Sequence, residues 1–280
     1  MGEILLTDNR RLAYRDYGDP DGHPCLYTPG WPSSGLLGSL YGDTARAAGV
    51  RLLAVDKPGS GGSDPDPYAS LPRFGADAVE LVDQLGLDSL SVFGESGGGP
   101  YALAIAAAVP DRVRQVVLAA SFGPDADPSE MNPMIGQLVT LARTDPEALQ
   151  RQFAGLDHWL SVDPAQFEQG FLASLPPEVT AGLDTSVLVP ATREALREEG
   201  RWAAQGFGLL VQPWGFELST VDVPVRVWHG TADDSAPLSA ARTVIDALPR
   251  CTAHILEGEG HSIGLVHREQ ILQKVLARQG

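Results

Sequence analysis

The sequence predicts an α/β fold in which a mostly parallel sheet is flanked by helices and interrupted by a helical insertion. Short runs of β-branched and aliphatic residues alternate with longer segments of helical periodicity, as in parallel strands joined by crossover helices. This alternation stops near Phe122 and resumes near residue 221. Because the later strands are needed to complete the sheet, we expect a core domain at residues 1–122 and 221–280. Residues 123–220 form the predicted insertion, a helical cap.

Strands are predicted where short β-rich runs are bounded by residues that favour turns. In chain order they are 12–17, 24–28, 51–55, 89–93, 113–119, 223–229 and 252–256. Helices are predicted where apolar residues recur every three or four positions, as over 71–85, where Gly86 then provides a stop signal. The other predicted helices are 40–48, 97–109, 146–153, 191–207, 238–248 and 263–278.

The composition argues against two classes of partner. The formal net charge is −16, and binding to nucleic acid or to an anionic membrane requires clusters of Lys and Arg that this chain lacks. The most apolar run, 102–109, is too short to span a bilayer, so membrane insertion is not expected. The first residues contain no basic segment followed by an apolar one. We therefore expect a cytoplasmic protein, either a monomer or a homodimer.

Four glycines surround a serine in the segment 93–99, which reads FGESGGG. The segment satisfies G-x-S-x-G and lies between the predicted strand 89–93 and the predicted helix that starts at Gly97. Reversal from strand to helix in so few residues forces a strained conformation on the serine, and the glycines remove side chains that would collide. An ordinary glycine-rich loop has the same composition, but the strand and helix context favours a nucleophile at Ser96.

A serine nucleophile requires a base and a carboxylate that orients the base. In the chain order usual for this motif, the acid follows the serine and the histidine comes last. Asp233 and Asp234 lie in the loop after the strand 223–229, and His261 lies in a glycine-bordered loop before the last helix. The other histidines lie in turns, strands or helical segments, where structural roles are more common: His23, His158, His229, His254 and His267.

Together these motifs resemble the α/β-hydrolase superfamily, in the branch whose helical cap lies between the sixth and seventh strands. The resemblance covers roughly residues 10–122 and 221–278. It implies that Ser96 is the nucleophile, that His261 is the general base and acid, and that Asp233 is the orienting acid.

Two other carboxylates remain open as the orienting acid. The family's G-x-x-D spacing, with proline four residues later, runs from Gly230 through Asp233 to Pro237 and favours Asp233. Asp234 is the nearest alternative, and Asp125, just after the sixth strand, is a weaker one.

The resemblance also implies an oxyanion hole, in which two backbone N–H groups stabilise negative charge on the substrate oxygen. It assigns one donor to Gly97 and the other, in the loop after the third strand, to Trp31. Related enzymes usually have histidine before the glycine of this loop, whereas this chain has Pro29, which lacks an N–H and fixes φ.

A second glycine-rich segment, 56–63, resembles the family's D-x-P-G-x-G-x-S turn, and its spacing favours a structural turn over a phosphate site.

Candidate substrate contacts come from the surroundings of the serine and from the cap. Trp31 and Glu95 are candidates beside the predicted nucleophile, and three of the chain's five tryptophans lie in the cap: Trp159, Trp202 and Trp214. Aromatic residues of the cap could line a pocket for a bulky apolar substrate, or they could form the cap's own core.

The resulting hypothesis is a serine hydrolase without cofactor or metal, which acts on an ester or lactone of a hydrophobic small molecule through an acyl-enzyme. The same residues would also serve a peptidase, a C–C hydrolase or a perhydrolase. A second hypothesis is a natural-product tailoring enzyme, in which the histidine acts as a base in cyclisation, addition or elimination. A third is a small-molecule receptor on the same fold.

Overall fold

The computed structural model describes residues 1–173 and 175–276. Its strands are β1 (Gly2–Leu5), β2 (Arg11–Gly18), β3 (His23–Thr28), β4 (Val50–Val55), β5 (Leu90–Glu95), β6 (Val113–Ala119), β7 (Val225–Gly230) and β8 (Cys251–Leu256). They form a sheet in the order β1-β2-β4-β3-β5-β6-β7-β8, in which β2 is antiparallel to β1 and β4 and all other neighbours are parallel. The predicted α/β class is confirmed. The edge strand β1 was not predicted, because only Ile4 in it is buried.

Helices cover both faces of the sheet, and further helices lie in the segment between β6 and β7. They are α1 (Gly42–Ala47), α2 (Leu71–Gln84), α3 (Gly99–Ala108), α4 (Pro133–Thr144), α5 (Pro146–Val162), α6 (Pro164–Ala173), α7 (Pro177–Thr180), α8 (Leu188–Ala195), α9 (Arg201–Leu210), α10 (Leu238–Ala247), α11 (Ile263–Val266) and α12 (Arg268–Leu276). Strand side chains alternate between the faces: Leu26 and Val92 belong to the core under α2, α3 and α10, whereas Tyr27 and Phe93 belong to the core under α1, α11 and α12. The central strands are therefore apolar on both sides.

The helix α3, which follows the glycine-rich segment, is packed on all sides. Eight of its ten residues are buried. The helix α2 approaches it closely at Gly75, where a Cβ would lie 2.7 Å from the carbonyl oxygen of Ala104. Small residues at this contact allow the two helices to pack tightly, which fixes the position of α3 against the sheet.

The first three α-helices after β6 begin with a common sequence signal. Proline occupies the first position of α4, α5 and α6, where its missing N–H leaves no hydrogen bond unmade. The preceding side chain accepts a hydrogen bond from the first turn in each case: Asn132 from Ile135 N at 3.1 Å, Asp145 from Ala148 N at 2.9 Å and Asp163 from Gln166 N at 3.1 Å. These N-terminal capping hydrogen bonds define where the three helices start.

Two helices predicted for the cap have different limits in the structure. The predicted helix 191–207 is two helices, α8 and α9, because residues 198–200 adopt φ angles of +53°, +55° and +71° between them. Such angles end an α-helix, and only the glycine among the three residues adopts them without strain. The predicted helix 146–153 is longer than expected and continues to Val162.

Helix limits in the core also differ from the prediction. The predicted helix 40–48 is a 3-10 segment at Gly35–Tyr41 followed by α1, and the predicted helix 263–278 is divided between α11 and α12. Residues 277–280 of the predicted core domain and residue 174 of the predicted cap lie outside the described residues. No helix in the described part of the chain is both long enough and apolar enough to cross a bilayer.

Candidate active site

The serine of the G-x-S-x-G motif lies on a sharp turn between β5 and α3. Its φ angle is +51°, in the left-handed region that residues other than glycine rarely adopt. The turn is a 3-10 segment, Ser96–Gly98, and α3 begins directly after it. A Cβ at Gly98 would lie 1.9 Å from the carbonyl oxygen of Thr28. Glycine is therefore required here by the close approach of the end of β3.

The structure brings Ser96, His261 and Asp233 into one hydrogen-bonded chain. His261 Nε2 lies 2.9 Å from Ser96 Oγ, and His261 Nδ1 lies 3.0 Å and 2.9 Å from the two carboxylate oxygens of Asp233. The three residues follow β5, β7 and β8, whose carboxyl ends lie at the same edge of the sheet. In this geometry a histidine can take a proton from a serine while a carboxylate orients the imidazole.

Asp233 is the carboxylate that faces the histidine. Its side chain is fully buried, and its Oδ1 accepts hydrogen bonds from the backbone N–H of Ser235 at 3.0 Å and of Ala236 at 2.9 Å. Asp234 is exposed, and its carboxylate is turned toward the start of α4. Asp125 is also exposed. Among the described residues, neither of these two alternatives is hydrogen-bonded to the histidine.

The charges around Ser96, His261 and Asp233 suit a histidine that acts as a base. Burial opposes ionisation of Asp233, but the hydrogen bond and charge of His261 hold the pKa of Asp233 below its usual value. Burial likewise opposes protonation of His261, yet its hydrogen bond to Asp233, the charge of that carboxylate and the charge of Glu95 raise the pKa of His261 above 6.5. The carboxylate stays ionised, and the imidazole binds a proton more readily than in water.

The two predicted oxyanion donors, Trp31 and Gly97, lie side by side next to the serine. A Cβ at Gly97 would be 2.8 Å from Trp31 Cβ and 3.5 Å from Trp31 N, and a Cβ at Gly30 would be 3.3 Å from Ser96 Cβ. The N–H of Trp31 donates no hydrogen bond to another described residue. This N–H is therefore free to bind an oxygen of a substrate.

Comparison with known proteins agrees with the fold. A sequence profile of the alpha/beta hydrolase family matches residues 25–275. The chain belongs to the alpha/beta hydrolase family.

This alpha/beta hydrolase has relatives with several named activities. It is 28% identical over 282 residues to a non-heme chloroperoxidase from Streptomyces lividans, with 99% of each chain covered. It is 26% identical over 290 residues to 2-hydroxymuconate semialdehyde hydrolase from Pseudomonas putida, with 98% of this chain and 92% of the relative covered. The solved structure of an esterase from Exiguobacterium antarcticum superposes with a TM-score of 0.68 at 19% identity, covering 99% of this chain and 98% of that one.

The serine of this alpha/beta hydrolase opens into a cavity of about 240 Å³, which is lined by the loops at the carboxyl edge of the sheet and by residues of α5, α6 and α8. This volume is below the ~300–1,000 Å³ of typical sites for drug-sized ligands. The wall is mostly apolar, and among the described residues that line it Glu95 alone is acidic. Within residues 1–173 and 175–276, no group of three or more His, Cys, Asp or Glu side chains could hold a metal ion.

The predicted substrate contacts are only partly found in the cavity wall. Trp31 and Glu95 line the cavity, whereas Trp159, Trp202 and Trp214 are not among the described residues that line it. Trp202 and Trp214 are 7% and 5% exposed and are buried in the hydrophobic core. Trp159 packs edge to face against Phe167, which is itself a residue of the wall. The helix α6 supplies two different aromatic side chains to the wall, Phe167 and Phe171.

Glu95 is held by two buried tyrosines that the sequence pattern does not indicate. The hydroxyl of Tyr27 donates to Glu95 Oε2 at 2.6 Å, and the hydroxyl of Tyr41 donates to Oε1 at 2.8 Å. Burial raises the pKa of Glu95, and the two hydroxyl donors and the charge of His261 partly offset this rise. The carboxyl group is thus fixed at the cavity wall, where its charge acts on the histidine.

The turn at residues 56–63 contains a buried lysine beside the predicted oxyanion loop. Asp56 anchors the turn by accepting hydrogen bonds from two backbone N–H groups of glycines. Lys57 is fully buried, and its Nζ donates to the carbonyl oxygens of Pro29 at 2.7 Å and Gly30 at 3.3 Å. The only sequence feature that draws notice to Lys57 is the rarity of lysine in this chain.

Proposed function

We propose that this enzyme is a serine hydrolase that cleaves an ester or lactone of a small hydrophobic molecule through an acyl-enzyme on Ser96. The observation that carries the proposal is the hydrogen-bonded chain from Ser96 through His261 to Asp233, with a 2.9 Å contact at each imidazole nitrogen. The small apolar cavity beside the serine supports a hydrophobic substrate. The esterase and hydrolase activities named for structural and sequence relatives support the reaction class.

The first half of the proposed reaction forms the acyl-enzyme. His261 Nε2 takes the hydroxyl proton of Ser96 as Oγ attacks the carbonyl carbon of the substrate. The carbonyl oxygen becomes negatively charged, and the N–H groups of Trp31 and Gly97 donate hydrogen bonds to it. Asp233 stabilises the imidazolium that forms. His261 then gives its proton to the leaving alkoxide oxygen as the C–O bond breaks.

The second half releases the acid. His261 takes a proton from a water molecule, and the resulting hydroxide adds to the carbonyl carbon of the acyl group. The same two N–H groups stabilise the second tetrahedral intermediate. The bond to Ser96 Oγ then breaks, and His261 returns the proton to the serine, which regenerates the free enzyme.

A panel of simple esters and lactones, followed by acid release at constant pH, tests the reaction class. We expect acid release from at least one of the two substrate types, together with a single covalent adduct when the protein is treated with a fluorophosphonate. If the fluorophosphonate labels Ser96 but no ester or lactone is hydrolysed, the serine is activated and the substrate assignment is wrong. If neither reaction occurs, the serine hydrolase proposal itself is wrong.

The rate of hydrolysis is expected to depend on the protonation of His261. The neutral imidazole accepts the serine proton, and the pKa of His261 is raised above 6.5, so protonation persists to a higher pH than for a free histidine. With p-nitrophenyl acetate, kcat/KM should therefore rise with pH, with an apparent midpoint above 6.5. Glu95→Gln should move this midpoint to lower pH, because the charge of Glu95 contributes to the raised pKa. A midpoint below 6.5 in the parent would show that the neighbouring charges do not raise the pKa of His261, and a rate that does not change with pH between about 5 and 9 would contradict the assignment of His261 as the base.

The size of the cavity is expected to limit the acyl chain. Because the cavity has a volume of about 240 Å³, p-nitrophenyl acetate and butyrate should be hydrolysed with a kcat/KM at least about tenfold above that of the decanoate. Phe171→Ala removes a side chain from the wall and enlarges the cavity, so it should reduce the ratio of kcat/KM for the short esters to kcat/KM for the decanoate. Tyr68→Ala is the matched control, since Tyr68 is 82% exposed and lies away from the cavity. A parent enzyme that prefers the decanoate would show that the acyl chain lies elsewhere.

A further inference from the structure

Lys57 occupies a closed site beneath the loop that contains the predicted oxyanion donor. Its side chain is fully buried, and its Nζ donates to the carbonyl oxygens of Pro29 at 2.7 Å and Gly30 at 3.3 Å. The same nitrogen lies over two aromatic rings, 5.1 Å from the ring centre of Trp31 and 5.9 Å from that of Tyr101. The ammonium group is therefore fixed by two carbonyl groups and two ring faces.

The carbonyl group of Gly30 and the N–H of Trp31 belong to one peptide unit. This unit is planar and trans, so its carbonyl oxygen and its N–H point in opposite directions. The oxygen also accepts a hydrogen bond from Ser33 Oγ at 2.7 Å. With Lys57 and Ser33 both bound to the oxygen, the peptide unit has little freedom to rotate, and its N–H remains directed away from both side chains.

We propose that Lys57 is a positioning residue for the oxyanion hole: it holds the peptide unit between Gly30 and Trp31 so that the N–H of Trp31 faces the substrate oxygen. This inference rests on the proposed serine hydrolase function. Lys57 touches no reacting atom and acts through the peptide unit. A positive charge beside the carbonyl oxygen also polarises the unit, which makes its N–H a stronger donor.

Both protonation states of Lys57 can hold the loop. Burial lowers the pKa of Lys57 to about 7, and the charges of Asp56 and Glu95 oppose this decrease. An ammonium group has three N–H bonds and a neutral amine has two, so either form can donate to both carbonyl oxygens. The charged form adds the polarisation, and the neutral form keeps the geometry.

The test compares Lys57→Met with Lys274→Met, because these are the only two lysines of the chain. Methionine keeps the length of the side chain and removes its donors. For Lys57→Met we expect kcat for p-nitrophenyl acetate to fall about 10- to 100-fold, with KM changed less than about threefold. The rate of phosphonylation by a fluorophosphonate should fall by a similar factor. Lys274→Met should match the parent in all three measurements.

Thermal unfolding separates positioning from a purely structural role. Lys57→Met removes the cost of burying a charge but leaves the carbonyl oxygen of Pro29 without this donor. These two effects oppose each other, so we expect the melting temperature of Lys57→Met to stay within about 4 °C of the parent. Ser33→Ala removes the second donor to the same carbonyl oxygen and is expected to lower kcat as well. If Lys57→Met does not fold, the kcat of Ser33→Ala decides the matter.

The outcomes for the inference and for the proposed function are distinct. An active parent with unchanged kcat in both Lys57→Met and Ser33→Ala would overturn the role of Lys57 and leave the hydrolase proposal intact. A loss of kcat in Lys57→Met that is matched by a large fall in melting temperature, with full activity in Ser33→Ala, would also overturn it. A parent that neither hydrolyses esters nor reacts with the fluorophosphonate would overturn both proposals together.

Discussion

Replacement of Ser96 by alanine is expected to abolish covalent labelling and to lower kcat for ester hydrolysis by about 10⁴-fold or more. The hydroxyl oxygen of Ser96 is the atom that lies 2.9 Å from His261 Nε2, and alanine has no atom in its place. Alanine and serine both carry a Cβ at this position, where φ is +51°, so the substitution adds no new backbone strain. The variant should therefore remain folded, and the loss can be assigned to the missing nucleophile.

The measurement is intact-protein mass after treatment with a fluorophosphonate, followed by kinetics with p-nitrophenyl acetate. The parent should gain one adduct, and Ser96→Ala should gain none. Ser161→Ala is the matched control, since Ser161 is exposed on α5 and its hydroxyl donates only to the carbonyl oxygen of His158 among the described residues. It should be labelled and turn over like the parent.

A different pattern would favour the tailoring hypothesis. In that case His261 acts as a base on the substrate itself, so His261→Ala would lose activity toward the true substrate while Ser96→Ala retained it. Equal loss in both variants is the result expected for an acyl-enzyme mechanism. The pair of variants thus distinguishes covalent catalysis from base catalysis on the same fold.

The residues that meet in the site could be selected from the sequence because each lies in a local pattern. Ser96 lies in G-x-S-x-G between a strand and a helix, Asp233 lies in a loop directly after a strand, and His261 lies in a glycine-bordered loop. In a parallel sheet the loops after neighbouring strands meet at one edge, so order along the chain predicts proximity in space. Between the adjacent carboxylates, the G-x-x-D spacing of the family favoured Asp233, and in the structure it is Asp233 that faces the imidazole.

Contacts between distant segments could not be predicted in this way. Lys57 and Gly30 are 27 positions apart, and Tyr41 and Glu95 are 54 positions apart, yet each pair is hydrogen-bonded. No local pattern shows that a lysine in a glycine-rich turn will be buried against a carbonyl group, because burial depends on how the loops pack.

The predicted cap shows a related limit of sequence-based prediction. An apolar helix face has the same sequence pattern whether it covers a core or a cavity, so Trp202 and Trp214 could not be separated from true wall residues. The break at residues 198–200 was also missed, since two of its three positive φ angles belong to glutamates, which have no preference for that conformation. Tertiary packing therefore decided both features.

Asp233→Asn is expected to lower kcat by about 10⁴-fold at neutral pH. The carboxylate of Asp233 accepts a hydrogen bond from His261 Nδ1, which leaves Nε2 unprotonated and able to take the serine proton. In the asparagine variant, the amide oxygen can still accept the backbone N–H groups of Ser235 and Ala236. The amide nitrogen would then face the histidine and donate to Nδ1, so the proton of the imidazole would move to Nε2, where it blocks general-base catalysis.

Asp234→Asn is the matched control, since it makes the same chemical change one residue along the chain. Asp234 is exposed and makes no hydrogen bond to His261 among the described residues, so kcat in this variant should stay within about twofold of the parent. Asp233→Asn should also lower the apparent pKa of His261 measured from the pH dependence, because the charge of Asp233 helps to raise that pKa. If Asp234→Asn is the variant that loses activity, the carboxylate that orients the imidazole during turnover is not the one that contacts it in this structure. In that case, the loop after β7 would have to rearrange when substrate binds.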